Sequence, residues 1–163
     1  MAICKGRSLR LMDFFLVRHG EAKSELEDPR RPLSPAGRMQ VEKVSRALLA
    51  RKVAPLEILH SDKLRARETA EILSRALSPR GGMKEIAGLR PQDDPFLIRS
   101  GLEAAEGSLM LVGHLPHLAQ LVSLLVHADT ERSLMDFPPA GVVCLARGQN
   151  RWEVAWTLQP ELI

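Results

Sequence analysis

Apolar positions along this chain follow two rhythms. Short unbroken runs, "FFLV" at 14–17, "LEILH" at 56–60 and "SLMLVG" at 108–113, suit buried strands. "KEIAGL" at 84–89 fits a further strand. Between them, apolar residues recur three and four apart. Ser34 followed by Pro35 supplies a capping hydroxyl and a proline at the first helical position, and Val41, Val44 and Leu48 then carry a helix to about residue 52. Ser61 or Asp62 is placed to cap a second helix with Thr69, Ile72, Leu73, Ala76 and Leu77 on one face, ended by "SPRGG" at 78–82. "RPQDDP" reads as a loop, with a short helix around 95–105 after it. Pro116 opens a helix bearing Leu118, Leu121, Val122 and Leu125. "GVVCLAR" and "RWEVAWTL" flank "GQN" as a β-hairpin, in which Trp152, Val154, Trp156 and Leu158 alternate along one face.

Strands alternating with helices predict an α/β fold: a three-layer αβα sandwich whose sheet is mostly parallel with an antiparallel edge. The 163 residues suit one domain. Ligands of such sheets bind beyond the carboxyl ends of the strands. The residues standing there are Arg18, His19 and Gly20, then Ser61 to Arg65, then Arg90 to Asp94, then Gly113 and His114.

Charge narrows the partners. The sequence pI is about 9.2, but residues 1–11 carry Lys5, Arg7 and Arg10 and no acid. Without them the chain holds 20 basic residues (23 less those three) against 20 acidic ones. Aromatic content is 4%, too little for stacking bases. Nucleic acid is therefore not expected as a partner. Residues 1–11 read as a dispensable extension ahead of a single domain at 12–163, with Met12 as an alternative start. The segment lacks the small-residue cleavage site of a signal peptide. No apolar run is long enough to span a bilayer, so no membrane partner is expected. Cys4 and Cys144 cannot make a disulfide framework, which fits a cytoplasmic protein.

Two histidines, two arginines and two glycines at strand ends suit phosphoryl chemistry. Arginine forks donate to two phosphoryl oxygens at once. A neutral imidazole nitrogen can attack phosphorus, and a second imidazole can donate to the same oxygens when protonated. "LVRHGEA" (16–22) resembles the signature of the histidine phosphatase, or phosphoglycerate mutase-like, superfamily. "HSDKLRARETAEIL" resembles its second motif through Ser61, Leu64, Arg65, Ala66, Thr69 and Ala70, with Asp62 in place of the usual proline. "LMLVGHLP" resembles the third, and "RPLSPAGRMQ" the segment before the first helix. The motifs occur in the family's order, and the resemblance spans residues 12–158.

That resemblance implies that His19 is the nucleophile, that Arg18, Arg65 and His114 hold the phosphoryl oxygens, and that Gly20 and Gly113 line the phosphate site. It implies no cofactor and no metal. Asp93, Asp94 and Glu21 are the carboxylates available as a leaving-group acid. His60, His117 and His127 match no motif and read as structural. The connection from Leu89 to Ser108 is too short for an inserted lid, as in the short SixA-type phosphohistidine phosphatases. The expected activity is hydrolysis of a phosphate monoester or phosphoramidate through a covalent phosphohistidine, with a phosphohistidine-bearing phosphoprotein as the expected substrate. The alternatives are a small-molecule phosphomonoesterase of the same superfamily and an inactive phosphoprotein-binding module. An ATP-using kinase is disfavoured, since no P-loop or kinase glycine loop is present.

Overall fold

The computed structural model describes residues 12–131, 135, 137–149 and 151–163. The proposed extension at 1–11 lies outside these residues. Six strands form one sheet: β1 (Met12–Arg18), β2 (Glu57–His60), β3 (Met83–Glu85), β4 (Leu109–Gly113), β5 (Val142–Arg147) and β6 (Trp152–Leu158). Their spatial order is β3-β2-β4-β1-β5-β6. The first four strands are mutually parallel, and β5 runs antiparallel to both β1 and β6. The hairpin thus makes the antiparallel edge of an otherwise parallel sheet. The third strand is shorter than "KEIAGL" suggests, because only Met83–Glu85 pairs with β2.

The unbroken apolar runs have a direct cause: β1 and β4 are covered on both faces. Phe15, Val17, Met110 and Val112 point into one core, with α1 (Pro35–Ala50) and α2 (Leu64–Leu77) above it. Phe14, Leu16 and Leu111 point into a second core, under α3 (Phe96–Ala104) and α4 (His117–His127). Ile98 and Leu102 anchor α3 in that second core, so this helix is part of a layer and not a lid. Among the described residues, no helix is long and apolar enough to cross a membrane.

Ser34 caps α1 as expected, its hydroxyl accepting from the Gly37 N–H at 2.9 Å. The α2 cap differs. Lys63 occupies that position without a side-chain hydrogen bond, because the Ser61 hydroxyl is drawn to His114 instead. The tryptophans also depart from expectation. A bulge in β6 opposite Cys144 and Leu145 inserts one residue and reverses the phase of the strand. Trp152 therefore packs on Phe14 in the second core, while Trp156 packs on Phe15 in the first.

Two glycines fix how α1 approaches the end of β1. A Cβ on Gly20 would come within 2.8 Å of the Gly37 carbonyl oxygen and of Val41. A Cβ on Gly37 would overlap the Glu21 carbonyl oxygen outright. Replacing a helical glycine by alanine ordinarily stabilises by about 0.5–1 kcal/mol. Here the sign reverses, since backbone would have to move. Gly37→Ala is expected to lower unfolding free energy by about 1–3 kcal/mol, read as a drop in the urea midpoint. A stabilised variant would mean that α1 does not pack this closely on the first motif.

Candidate active site

The site is assembled by strand register. Parallel β1 and β4 pair Arg18 with Gly113, so the next residues, His19 and His114, emerge side by side. Their ring centroids are 4.9 Å apart at 55°. The backbone reinforces this, since the His19 N–H donates to the Gly113 carbonyl at 3.1 Å. On the other flank of β4, β2 pairs His60 with Val112, which brings Ser61 alongside. The Ser61 Oγ lies 2.5 Å from His114 Nε2. The first turn of α2 then carries Arg65 to His19.

The tautomer of His19 is fixed. Its Nδ1 donates to the Gly20 carbonyl at 2.7 Å, since a carbonyl can only accept. The proton therefore sits on Nδ1, and Nε2 keeps its lone pair. Arg65 Nε donates to that nitrogen at 3.2 Å. Burial lowers the His19 pKa to about 4, with the charges of Arg65, Arg18 and Arg31 adding to the effect and the Gly20 carbonyl opposing it. Burial, then His19 and Arg65, take His114 to about 3. Burial thus favours the neutral form of both imidazoles in the free site. Ser61 Oγ accepts from the Lys63 N–H at 3.3 Å. The pairing of Ser61 Oγ with His114 Nε2 leaves His114 Nδ1 buried without a partner among the described residues. A neutral imidazole keeps one N–H in either tautomer.

The structure brings Arg65 and His114 to His19, and the charge of Arg18 acts on it. Arg18 donates Nη1 to the Phe137 carbonyl at 2.6 Å, which pins its guanidinium. Gly20 and Gly113 are placed beside the site, but their backbone serves assembly. The Gly20 N–H donates to Thr69 Oγ1 at 3.1 Å, and that hydroxyl donates to the Arg65 carbonyl at 2.7 Å. Thr69 thus ties the first motif to the second. Gly113 contributes the carbonyl that receives His19.

The candidate acids are engaged elsewhere. Glu21 accepts from the Ser34 hydroxyl at 2.7 Å. Asp93 accepts from the Arg90 N–H and Asp94 from the Phe96 N–H, each at 2.9 Å, as turn and cap residues. Their charges act on buried His117. The carboxylates whose fields reach Arg65 are Glu25 and Asp62. Asp62, where the family usually has proline, is held by Arg90 at 2.6 Å. His60 donates Nδ1 to the Ser61 carbonyl at 2.8 Å, a structural contact. Among the described residues, no group of three or more His, Cys, Asp or Glu is arranged to hold a metal. Sequence reasoning missed Arg31, whose charge acts on both His19 and Arg65. "RRPL" within a polar loop gave no sign of which arginine would face the site.

Comparison with known proteins agrees with this geometry. Residues 14–91, which hold the first two motifs, match the family model of the histidine phosphatase superfamily (branch 1). An uncharacterised protein of Picosynechococcus is 32% identical over 148 residues, covering 86% of this chain and 88% of its own. The phosphohistidine phosphatase SixA of Escherichia coli is 28% identical over 154 residues, 91% of this chain and 94% of that protein. The solved structure of the protein histidine phosphatase SixA with tungstate superposes at a TM-score of 0.82, covering 93% of this chain and 99% of that one at 24% identity. A phosphoserine phosphatase of Entamoeba histolytica shares the fold at a TM-score of 0.71 and 12% identity, covering 92% of this chain and 98% of that one. With its three motifs converging where the parallel strands end, the chain belongs to the histidine phosphatase superfamily, as a phosphatase of the SixA type.

Proposed function

We propose that this phosphatase hydrolyses phosphohistidine on a partner protein, without a metal, by way of a phosphate carried on His19. The observation that carries this reading is the fixed tautomer: an imidazole with its proton locked on Nδ1 and its lone pair on Nε2 beside a guanidinium. Nε2 attacks phosphorus in line. The new P–N bond forms as the bond from phosphorus to the substrate's imidazole breaks. When that substrate ring is protonated on its other nitrogen it leaves as neutral imidazole, so no side-chain acid is required. His19 then carries phosphate on Nε2 and a proton on Nδ1, and the Gly20 carbonyl steadies the positive ring. Water attacks the phosphohistidine in its turn and loses a proton to solvent. Inorganic phosphate departs and neutral His19 is restored.

Charge is stabilised by groups already in place. Arg65 exchanges its hydrogen bond to Nε2 for one to a phosphoryl oxygen, and Arg18 and His114 serve the others. For the substrate, two features support a protein. The inter-strand helix α3 is committed to the core, so nothing inserted there encloses a small ester. The similarity to the Escherichia coli phosphohistidine phosphatase extends over nearly the whole chain.

His19→Ala is expected to abolish turnover. Acid-labile, base-stable phosphate should be trapped on His19 in wild type by rapid quench and mass spectrometry. Phosphate found on another residue would overturn the mechanism.

With EDTA present throughout, kcat/KM for a phosphohistidine protein is expected to exceed that for phosphoserine peptides and sugar phosphates by at least about two orders of magnitude, roughly 3 kcal/mol. Equal turnover of a small phosphate ester would point to a metabolite phosphatase. Loss of activity on chelation, restored by a divalent ion, would remove the metal-free mechanism.

The pH dependence follows from the His19 pKa of about 4. The acid limb of kcat/KM should fall near that value and not near 6.5, because protonation of Nε2 removes the lone pair. Stability carries the matching sign. The folded pKa lies below the unfolded one, so unfolding takes up protons between about 4 and 6.5, and stability falls as pH falls through that window. Urea unfolding at pH 7.5 and 5 measures this second effect. An acid limb near 6.5 would show His19 to be solvated and not buried among arginines.

A further inference from the structure

The loop after the first motif is stapled closely to it. Ala22 bridges Leu33 antiparallel, the Lys23 N–H donates to the Pro32 carbonyl at 2.9 Å, and the Ser34 N–H donates to the Glu21 carbonyl at 2.9 Å. The Leu33 side chain packs so closely on Gly20 that a Cβ there would meet it at 3.2 Å. Residues 31–34 therefore run back along 20–23, the segment that follows His19.

Arg31 stands on this returning segment. Its N–H donates to the Asp28 carbonyl at 2.8 Å, and it adopts a left-handed backbone at φ 49°, uncommon for a residue with a side chain. The side chain is half-buried and donates Nε to the Lys23 carbonyl at 3.2 Å. That bond fixes the guanidinium while using only one edge of it. Arg31 has no carboxylate partner among the described residues, whereas its neighbour Arg30, largely exposed, is paired with Asp28 at 3.2 Å. A half-buried arginine without a carboxylate partner among the described residues, its charge acting on Arg65, is a repulsive arrangement until an anion arrives. Arg18 has already given Nη1 to Phe137, so the site has oxygens to satisfy and Arg31 has donors to offer.

Resting on the phosphoryl site proposed above, we propose that Arg31 is a third phosphoryl-binding arginine, supplied by the 23–33 loop and held in place by the Lys23 carbonyl. In the absence of an inserted lid, this loop provides the cover on that side of the phosphate. The charge of Arg31 already acts on both His19 and Arg65.

Tungstate binding, measured by calorimetry, tests this without assuming a substrate. Arg31→Gly keeps the left-handed backbone that glycine favours, and Arg31→Gln keeps most of the side chain without its charge. Both are expected to weaken tungstate by about tenfold to a hundredfold, the worth of a charge-assisted hydrogen bond. Arg30→Ala, which removes the same formal charge one residue away, should change it by less than about twofold. The His19 imidazole, followed by NMR, should titrate at a higher pH in both Arg31 variants and not in Arg30→Ala. Tungstate affinities that match among the Arg30 and Arg31 variants, with Arg65→Ala still damaging, would overturn the role of Arg31 alone. Affinity indifferent to Arg65→Ala as well would overturn the phosphoryl site on which it rests.

Discussion

The parallel pairing of β1 with β4 is the constraint on which the site depends. Register sets Arg18 opposite Gly113, and the two histidines become neighbours because each is the next residue along its strand. A slip of one residue would turn every strand side chain to the other face. The two cores forbid that slip, since Phe15 and Val17 fill one and Phe14 and Leu16 the other. Packing thus holds the chemistry in register without any core residue touching it. The closeness of α1 follows from the same strand end. Gly20 and Gly37 let the helix abut the chain leaving β1, and the Gly20 N–H is then satisfied by Thr69 from α2.

That assembly has an electrostatic consequence. Withdrawing two imidazoles from water favours their neutral forms, and the surrounding arginines push the same way. The free site concentrates positive charge on guanidiniums, whose pKa is too high to yield, and keeps the histidines as bases. In the proposed mechanism a phosphoryl dianion relieves the repulsion among the arginines while meeting an unprotonated nitrogen. Arg65 donates to that nitrogen in the free site, and in the proposed mechanism the anion draws the guanidinium away. A lysine there would supply the charge without the fork that can shift between nitrogen and oxygen.

Much of this was legible in the sequence. The apolar runs marked strands buried on both faces, Ser34-Pro35 marked the start of α1, and three motifs marked the ends of β1, β2 and β4. What one strand cannot announce is its neighbour. The order that seats β4 between β1 and β2 is a tertiary fact, as is the bulge that sends Trp152 and Trp156 to opposite faces. Side chains with two possible partners were also opaque. Ser61 reads as a helix cap until His114 is beside it. Glu21, Asp93 and Asp94 stand as candidate acids because the strand-end rule places them nearby, and only geometry shows that one oxygen of each accepts from the Ser34 hydroxyl, the Arg90 N–H or the Phe96 N–H.

Substrate choice cannot reside in the strand scaffold, because the same fold serves a phosphoserine phosphatase and SixA. It must lie in what the strand ends carry beyond the shared residues. In this chain those additions are the stapled 23–33 loop, bringing Glu25 and Arg31 toward Arg65, and the Asp62–Arg90 pair beside His114. Neither makes a closed chamber around a small molecule. Both lie at the rim, where a macromolecular substrate supplies its own cover and where polar groups act on whatever flanks the phosphate. On the proposed reading, a site built this way takes the phosphoryl group with half-buried arginines and leaves recognition of its carrier to surface contacts.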